Sequence, residues 1–158
     1  MWLSNRRNVL FGLVALGGCG FTPAFGPNAG ASQFRNAVFV QAPVDRVEFE
    51  LVRNLEQRLG QPTERVFDLK FDLSVLKNSV VVSAAQEFNR FNLVGTLTYS
   101  LTDTNGVLAA HGTAKTFTSY SATGSTLATD QSERDAENRL MVILADQVMT
   151  QLISASAG

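Results

Sequence analysis

Between Phe67 and Val75 apolar residues fall at every second position. Phe67, Leu69, Phe71, Leu73 and Val75 alternate with Asp68, Lys70, Asp72 and Ser74. Successive side chains of a strand point to opposite faces, so this run is a strand with one buried and one wet side. Such half-buried strands belong to sheets that are covered on one face and solvated on the other. The cover must come from elsewhere in the chain, which leaves few architectures open.

Other segments repeat the strand pattern. Ala37 to Ala42 is a short strand candidate ended by Pro43, and Lys77-Asn78-Ser79 reads as a bulge or bend before Val80-Val81-Val82. A third strand starts near Glu87 and sets Phe91, Leu93, Leu97, Tyr99 and Leu101 on one face, with Gly95 in the gap. Asn105-Gly106 then lies between two alternating runs, a strong hairpin signal. If those two residues form the loop, Leu101 pairs with Ala110, Tyr99 with Gly112 and Leu97 with Ala114. Large residues then face small ones, leaving room for a helix across the sheet. The fourth strand runs from Val107 to about Tyr120.

Two segments switch to the helical period. Val44, Val47, Leu51, Leu55 and Leu59 recur every three or four residues, with Glu48 and Val52 filling in. Asp45 and Glu48 suit the first turn and Arg58 the last, as the helix dipole favours. Gly60 and Pro62 stop the helix. Ser119 to Thr129 reads as a Ser/Thr/Gly loop, after which Thr129, Asp130 or Ser132 caps a closing helix, with Glu133 completing a capping box on Asp130. Ala136, Leu140, Ile143, Leu144, Val148 and Leu152 form its apolar stripe. The order strand, helix, three strands, helix predicts an α+β fold: a four-stranded, mostly antiparallel (mixed) sheet with two helices packed on one face. The first strand joins an edge or inserts.

Ahead of this domain lies an export pattern. Arg6 and Arg7 precede the apolar run Val9 to Leu16, then Leu16-Gly17-Gly18-Cys19. The run is far shorter than the ~20 residues a membrane-crossing helix needs, so it reads as a secretory signal. Leu-Gly-Gly-Cys resembles a bacterial lipobox, in which Cys19, the chain's one cysteine, is lipidated. The competing reading is an ordinary signal peptide with Cys19 as a bystander. Asn5-Arg6-Arg7-Asn8-Val9-Leu10 leaves twin-arginine export open beside the general route. Gly20 is not Asp, which by resemblance to enteric sorting favours the outer membrane. The expected organisation is a signal peptide over 1–18, a lipidated N-terminus and tether over 19–34, and one domain over 35–158. Gly20, Pro23, Gly26, Pro27, Asn28 and Gly30 punctuate the tether.

Composition excludes several functions. With Arg6 and Arg7 removed from 13 basic side chains against 14 acidic ones, the mature chain carries roughly −3, and no basic aromatic platform for nucleic acid stands out. Cys19 is taken by the anchor, so no disulfide forms within the chain. Its one histidine, His111, falls on the polar strand face opposite Ser100, and no Gly-x-Ser-x-Gly surrounds a serine. Neither a metal-ligand spacing nor a phosphate-cradling glycine loop is present. The expectation is a non-enzyme without cofactor or metal.

Two segments carry a family resemblance. Cys19-Gly20-Phe21-Thr22-Pro23-Ala24-Phe25-Gly26 is similar to the Cys-Gly-Phe-x-Pro-Leu-Tyr-Gly that follows the lipobox in the lipopolysaccharide-assembly lipoprotein family (LptE), with Ala24-Phe25 in place of Leu-Tyr. Ser132 to Arg139, followed by Leu144-Ala145-Asp146-Gln147-Val148 and Leu152, resembles the closing helix of its alphaproteobacterial members. The resemblance implies a non-catalytic outer-membrane lipoprotein, lipid-anchored on the periplasmic side, that plugs and helps assemble the LptD β-barrel for lipopolysaccharide insertion. Thr96, Thr98, Ser100, Thr102, Thr113, Lys115 and Ser119 would give it a polar strand surface. In that family, basic residues near strand tips and in the loop before the last helix are tied to lipopolysaccharide. The Tyr120–Thr129 loop has no Lys or Arg, which leaves Lys77, Arg90 and Lys115 as strand-region candidates. Each also reads as an ordinary solvated charge. Two other readings remain: an auxiliary lipoprotein of an ABC-type lipid or solute transport system, and a periplasmic hydrolase relying on His111.

Overall fold

The computed structural model describes residues 33–80, 89–122 and 125–156. The export signal, Cys19, nearly all of the expected tether, Val81-Val82 and Glu87 lie outside the described residues. The elements are β1 (Val38–Val40), α1 (Arg46–Leu59), β2 (Phe67–Val80), β3 (Asn89–Asp103), β4 (Leu108–Ala122) and α2 (Thr126–Ser156). The strands form one sheet in the order β1-β2-β3-β4. β1 runs parallel to β2 at the edge, and the other pairs are antiparallel. This is the expected α+β fold with a mixed sheet.

The sheet's alternation decides where the core sits. Leu69 and Phe71 of β2, Leu93, Leu97, Tyr99 and Leu101 of β3, and Ala110 and Ala114 of β4 are all buried. The intervening residues form the opposite face. Both helices pack on the buried side: α2 lies over β4 and β3, with α1 beside it next to β1. The pairs Leu97–Ala114, Tyr99–Gly112 and Leu101–Ala110 occur as expected. Their small members line β4, and α2 settles into the space they leave. At Gly95 α2 also comes close, since a Cβ there would sit 2.9 Å from Leu144 Cδ1 and 3.1 Å from Leu140 Cδ2. Phe34 joins the core and meets Phe67 edge-on at 5.5 Å between ring centroids.

Several local expectations are corrected. The Asn105-Gly106 loop has three residues, Thr104 to Gly106, closed by Asp103 N–H donating to Val107 O at 2.9 Å and Gly106 N–H to Asp103 O at 3.0 Å. Gly106 takes φ +80°, a conformation costly for residues with a Cβ. The register then shifts between Leu101 and Thr102, where Ala109 is the extra residue. This bulge returns the strands to the pairing a two-residue loop would give. No bulge or bend occurs at Lys77-Asn78-Ser79, where β2 pairs without a shift from Phe67↔Asp103 to Val80↔Arg90. β3 is equally long there and satisfies the ladder, so polar side chains do not interrupt it.

The helix ends and faces also differ from expectation. Val44 is 86% exposed and precedes the N-cap. Asp45 accepts from Glu48 N–H at 2.8 Å, and the Glu48 carboxylate accepts from Val44 N–H at 2.7 Å. The two acids thus satisfy end amides directly, as in a capping box. α2 begins at Thr126, so Thr129, Asp130 and Ser132 lie inside it, not at its cap. The Thr129 and Ser132 hydroxyls donate back to Ser125 O and Ala128 O. Ile143 is 37% exposed, whereas Met141 and Ala145 are fully buried. α2 touches α1 as well as β4, which rotates its buried arc toward α1.

Candidate interaction surfaces

The side of the sheet away from the helices has no covering layer among the described residues. Register places Thr96, Thr98, Ser100 and Thr102 of β3 beside Thr113, Lys115 and Ser119 of β4, so all seven expected polar residues share this open face. Thr98 and Thr113 bring their hydroxyls to 3.4 Å, and Ser119 Oγ donates to Asn92 Oδ1 at 2.7 Å. His111 sits there too, exposed and opposite Ser100. Among the described residues no three His, Cys, Asp or Glu side chains converge to hold a metal.

One row departs from this polarity. Leu76, Val94 and Phe117 are consecutive partners across β2, β3 and β4. Leu76 is 61% and Phe117 63% exposed. The row on one side is Ser74, Thr96 and Lys115; on the other it is Asn78, Asn92 and Ser119. Sequence reasoning missed this row, although half of it was within reach. The register expected from the hairpin, continued three residues past Leu97–Ala114, already pairs Val94 with Phe117.

The three basic candidates separate. Lys77 belongs to the helix-bearing side, where its ammonium donates to both Glu133 oxygens at 2.7 and 2.8 Å. It also lies 4.9 Å from the Phe91 ring centroid and 5.4 Å from that of Tyr120, two stacked rings. The hydrogen bond to Glu133 raises the Lys77 pKa, and the same bond holds the Glu133 carboxyl below its usual range. Arg90 and Lys115 stand on the open face with no ion pair among the described residues. They pair with Ser121 and Thr96, six positions apart in register, or about 20 Å at ordinary strand rise. No shared anion pocket forms from the three.

The helix side offers a shallow groove of about 310 Å³ above Val47, Leu73, Val75 and Leu93. Its acids are engaged: Glu133 with Lys77, Glu137 with Arg46, and Asp45 and Glu48 with backbone amides. Arg58–Asp146 at 2.6 Å and Arg139–Asp135 at 3.0 Å neutralise further charges along the helices. The groove holds neither a histidine nor a thiol, and its carboxylates are spoken for.

Among the described residues no helix is long and apolar enough to cross a membrane. Solved structures share this fold. A lipoprotein of Caulobacter crescentus superimposes with a TM-score of 0.67 at 20% identity, covering 82% of this chain and 97% of that one. Rare lipoprotein B of Shewanella oneidensis gives 0.58 at 9% identity over 77% and 95% of the two chains. A minor lipoprotein of Acinetobacter baumannii gives 0.52 at 17% over 75% and 89%. No curated protein matches the sequence. The model of the LptE lipopolysaccharide-assembly family matches residues 32–152, which takes in all four strands, α1 and all but the last four residues of α2. The chain belongs to the LptE lipopolysaccharide-assembly family.

Proposed function

We propose that this protein is a non-catalytic lipoprotein of the outer membrane that seats inside the LptD β-barrel and assists its assembly for lipopolysaccharide insertion. The observation that carries the reading is the family match over residues 32–152, preceded by Cys19 in a lipobox-like sequence. Acylation of Cys19 supplies the anchor. Each buried methylene contributes ~0.8 kcal/mol and two lipid signals suffice for stable attachment, so diacylglycerol on the sulfur with an acyl chain on the new N-terminus makes a stable anchor. A barrel lumen is polar and water-lined, which suits a plug whose open sheet face is rich in hydroxyls. Lipopolysaccharide in transit meets Lys77, Arg90 and Lys115 as separate cations, because they do not converge. The protein's work is therefore to fill and position.

The test is recovery of the tagged, full-length lipoprotein from detergent-solubilised outer membrane, with mass spectrometry of its N-terminal peptide. A large β-barrel should accompany it, and Cys19 should carry thioether-linked diacylglycerol. A free thiol at Cys19, or a lipoprotein recovered without any barrel, would overturn the reading.

A further inference from the structure

The open sheet face holds an unpartnered apolar row, Leu76–Val94–Phe117, running across three strands. Single exposed apolar residues are common on proteins and need no explanation. Here three are brought together by strand register, and two are more than 60% exposed. Elsewhere on this face an exposed ring is covered: the Arg65 guanidinium lies 4.7 Å from the Phe39 ring centroid. Phe117 has no ring or cation contact among the described residues.

The surroundings define what can sit on the row. Lys115 is in the adjacent row, Arg90 lies beyond the Asn78–Asn92–Ser119 row, and Lys70 is further along β2. None of the three has an ion pair among the described residues, while Asp68 is held by Arg65 at 2.7 Å, leaving Asp72 as the unpaired acid on this face of β2. A second copy docked through this face would bring like cations together, and like charges across an interface are unfavourable. An acyl chain needs a cleft that surrounds it, and a row on a sheet surface offers one side only. An apolar centre with a polar, hydroxyl-rich rim is instead the layout of a protein–protein contact.

We infer that Leu76, Val94 and Phe117 form the contact by which this chain docks on the inner wall of its barrel partner, against an apolar patch rimmed by carboxylates that meet Arg90 and Lys115. The inference rests on the barrel-partner reading above and adds the surface used.

The test uses the full-length lipoprotein in cells. A photo-crosslinking amino acid replaces Phe117, and Phe117→Asp, Leu76→Asp and the double reversal Arg90→Glu/Lys115→Glu are made separately. Wild type should recover the barrel, the residue-117 probe should crosslink to it, and each variant should lower recovery at least tenfold. Arg53→Glu, on the helix side, should leave recovery unchanged. The altered side chains are exposed, and a thermal melt of each purified variant confirms folding. A folded Phe117→Asp that recovers the barrel as wild type does overturns the surface assignment while leaving the barrel reading intact. A crosslink to glycolipid or to a second copy does the same. Failure of wild type to recover any barrel overturns both.

Discussion

The two faces of the sheet are built from the same strands and obey different rules. On the helix-bearing face, Leu97, Leu101, Leu140, Leu144 and Leu152 are fully buried, and the charges at its margins are tied into pairs such as Arg58–Asp146 and Lys77–Glu133. On the open face, hydroxyls stand in rows, Arg90 and Lys115 have no ion pair among the described residues, and Phe117 lies bare. The first face is closed by its own chain. The second is left uncovered among the described residues. One residue of register separates them, since a one-residue slip exchanges every side chain between the faces.

The contrast predicts unequal costs for deletions of similar size. Leu144→Ala removes a fully buried side chain from the contact of α2 with β3 and should destabilise by about 2–5 kcal/mol. Phe117→Thr removes a larger group from the open face and should shift stability by less than about 0.5 kcal/mol. Urea titration of the mature domain checks both. Equal losses would mean that the open face is covered within the chain itself.

Overpacking sharpens the same point. Gly95→Val places methyl groups where Leu140 and Leu144 already lie within about 3 Å of a Cβ, and such insertions cost about 1–3 kcal/mol. Its neighbour Val94 faces the other way, so Val94→Ile should be tolerated with little change in melting temperature. A Gly95→Val protein as stable as wild type would show that α2 can lift off β3 freely.

A smaller effect is expected at Thr118, whose buried hydroxyl donates to Ala136 O of α2 at 2.9 Å. Thr118→Val keeps the shape and loses the bond, costing about 1 kcal/mol. Thr116→Val, two residues back along β4, directly opposite Gly95 and on the same side but only partly buried, makes the control.

What the sequence disclosed divides along the same line. The buried face was legible because alternation and the helical period are both records of burial: the β2 pattern, the β3–β4 register and α1 all emerged from them. Turn chemistry was legible only in part. Asn105-Gly106 announced a hairpin, yet a three-residue loop with a compensating bulge produces the same core pairing as the two-residue loop, and the apolar pattern does not distinguish them. The start of α2 was missed because Thr129, Asp130 and Ser132 are strong capping types that here sit inside the helix, where Thr129 and Ser132 bond backward to carbonyls. The open-face row was hidden for a different reason. Leu76 and Val94 each follow a core residue, so they read as extensions of the apolar pattern until the β2–β3 register turns them outward. Lys77 read as a free cation because its partner Glu133 is distant in sequence.

That pair gives the smallest prediction and one with a defined pH window. Hydrogen bonding to Lys77 depresses the Glu133 pKa. A carboxyl whose folded pKa lies below its unfolded value contributes stability above the unfolded value, near 4.3, and loses it as pH falls through the folded one. Lys77 is shifted upward, so its share is lost only as pH rises through a folded pKa above the usual ~10.4. Between those limits the bond persists. Both side chains are partly exposed, at 43% and 26%, so solvent screening confines the pair to about 0.5–1 kcal/mol. Glu133→Gln should lower the melting temperature modestly at pH 7, and the gap from wild type should close as the pH falls from neutral through the folded Glu133 pKa, which lies below the usual carboxyl value. If the gap instead stays constant across that range, Glu133 acts through packing and not through its charge.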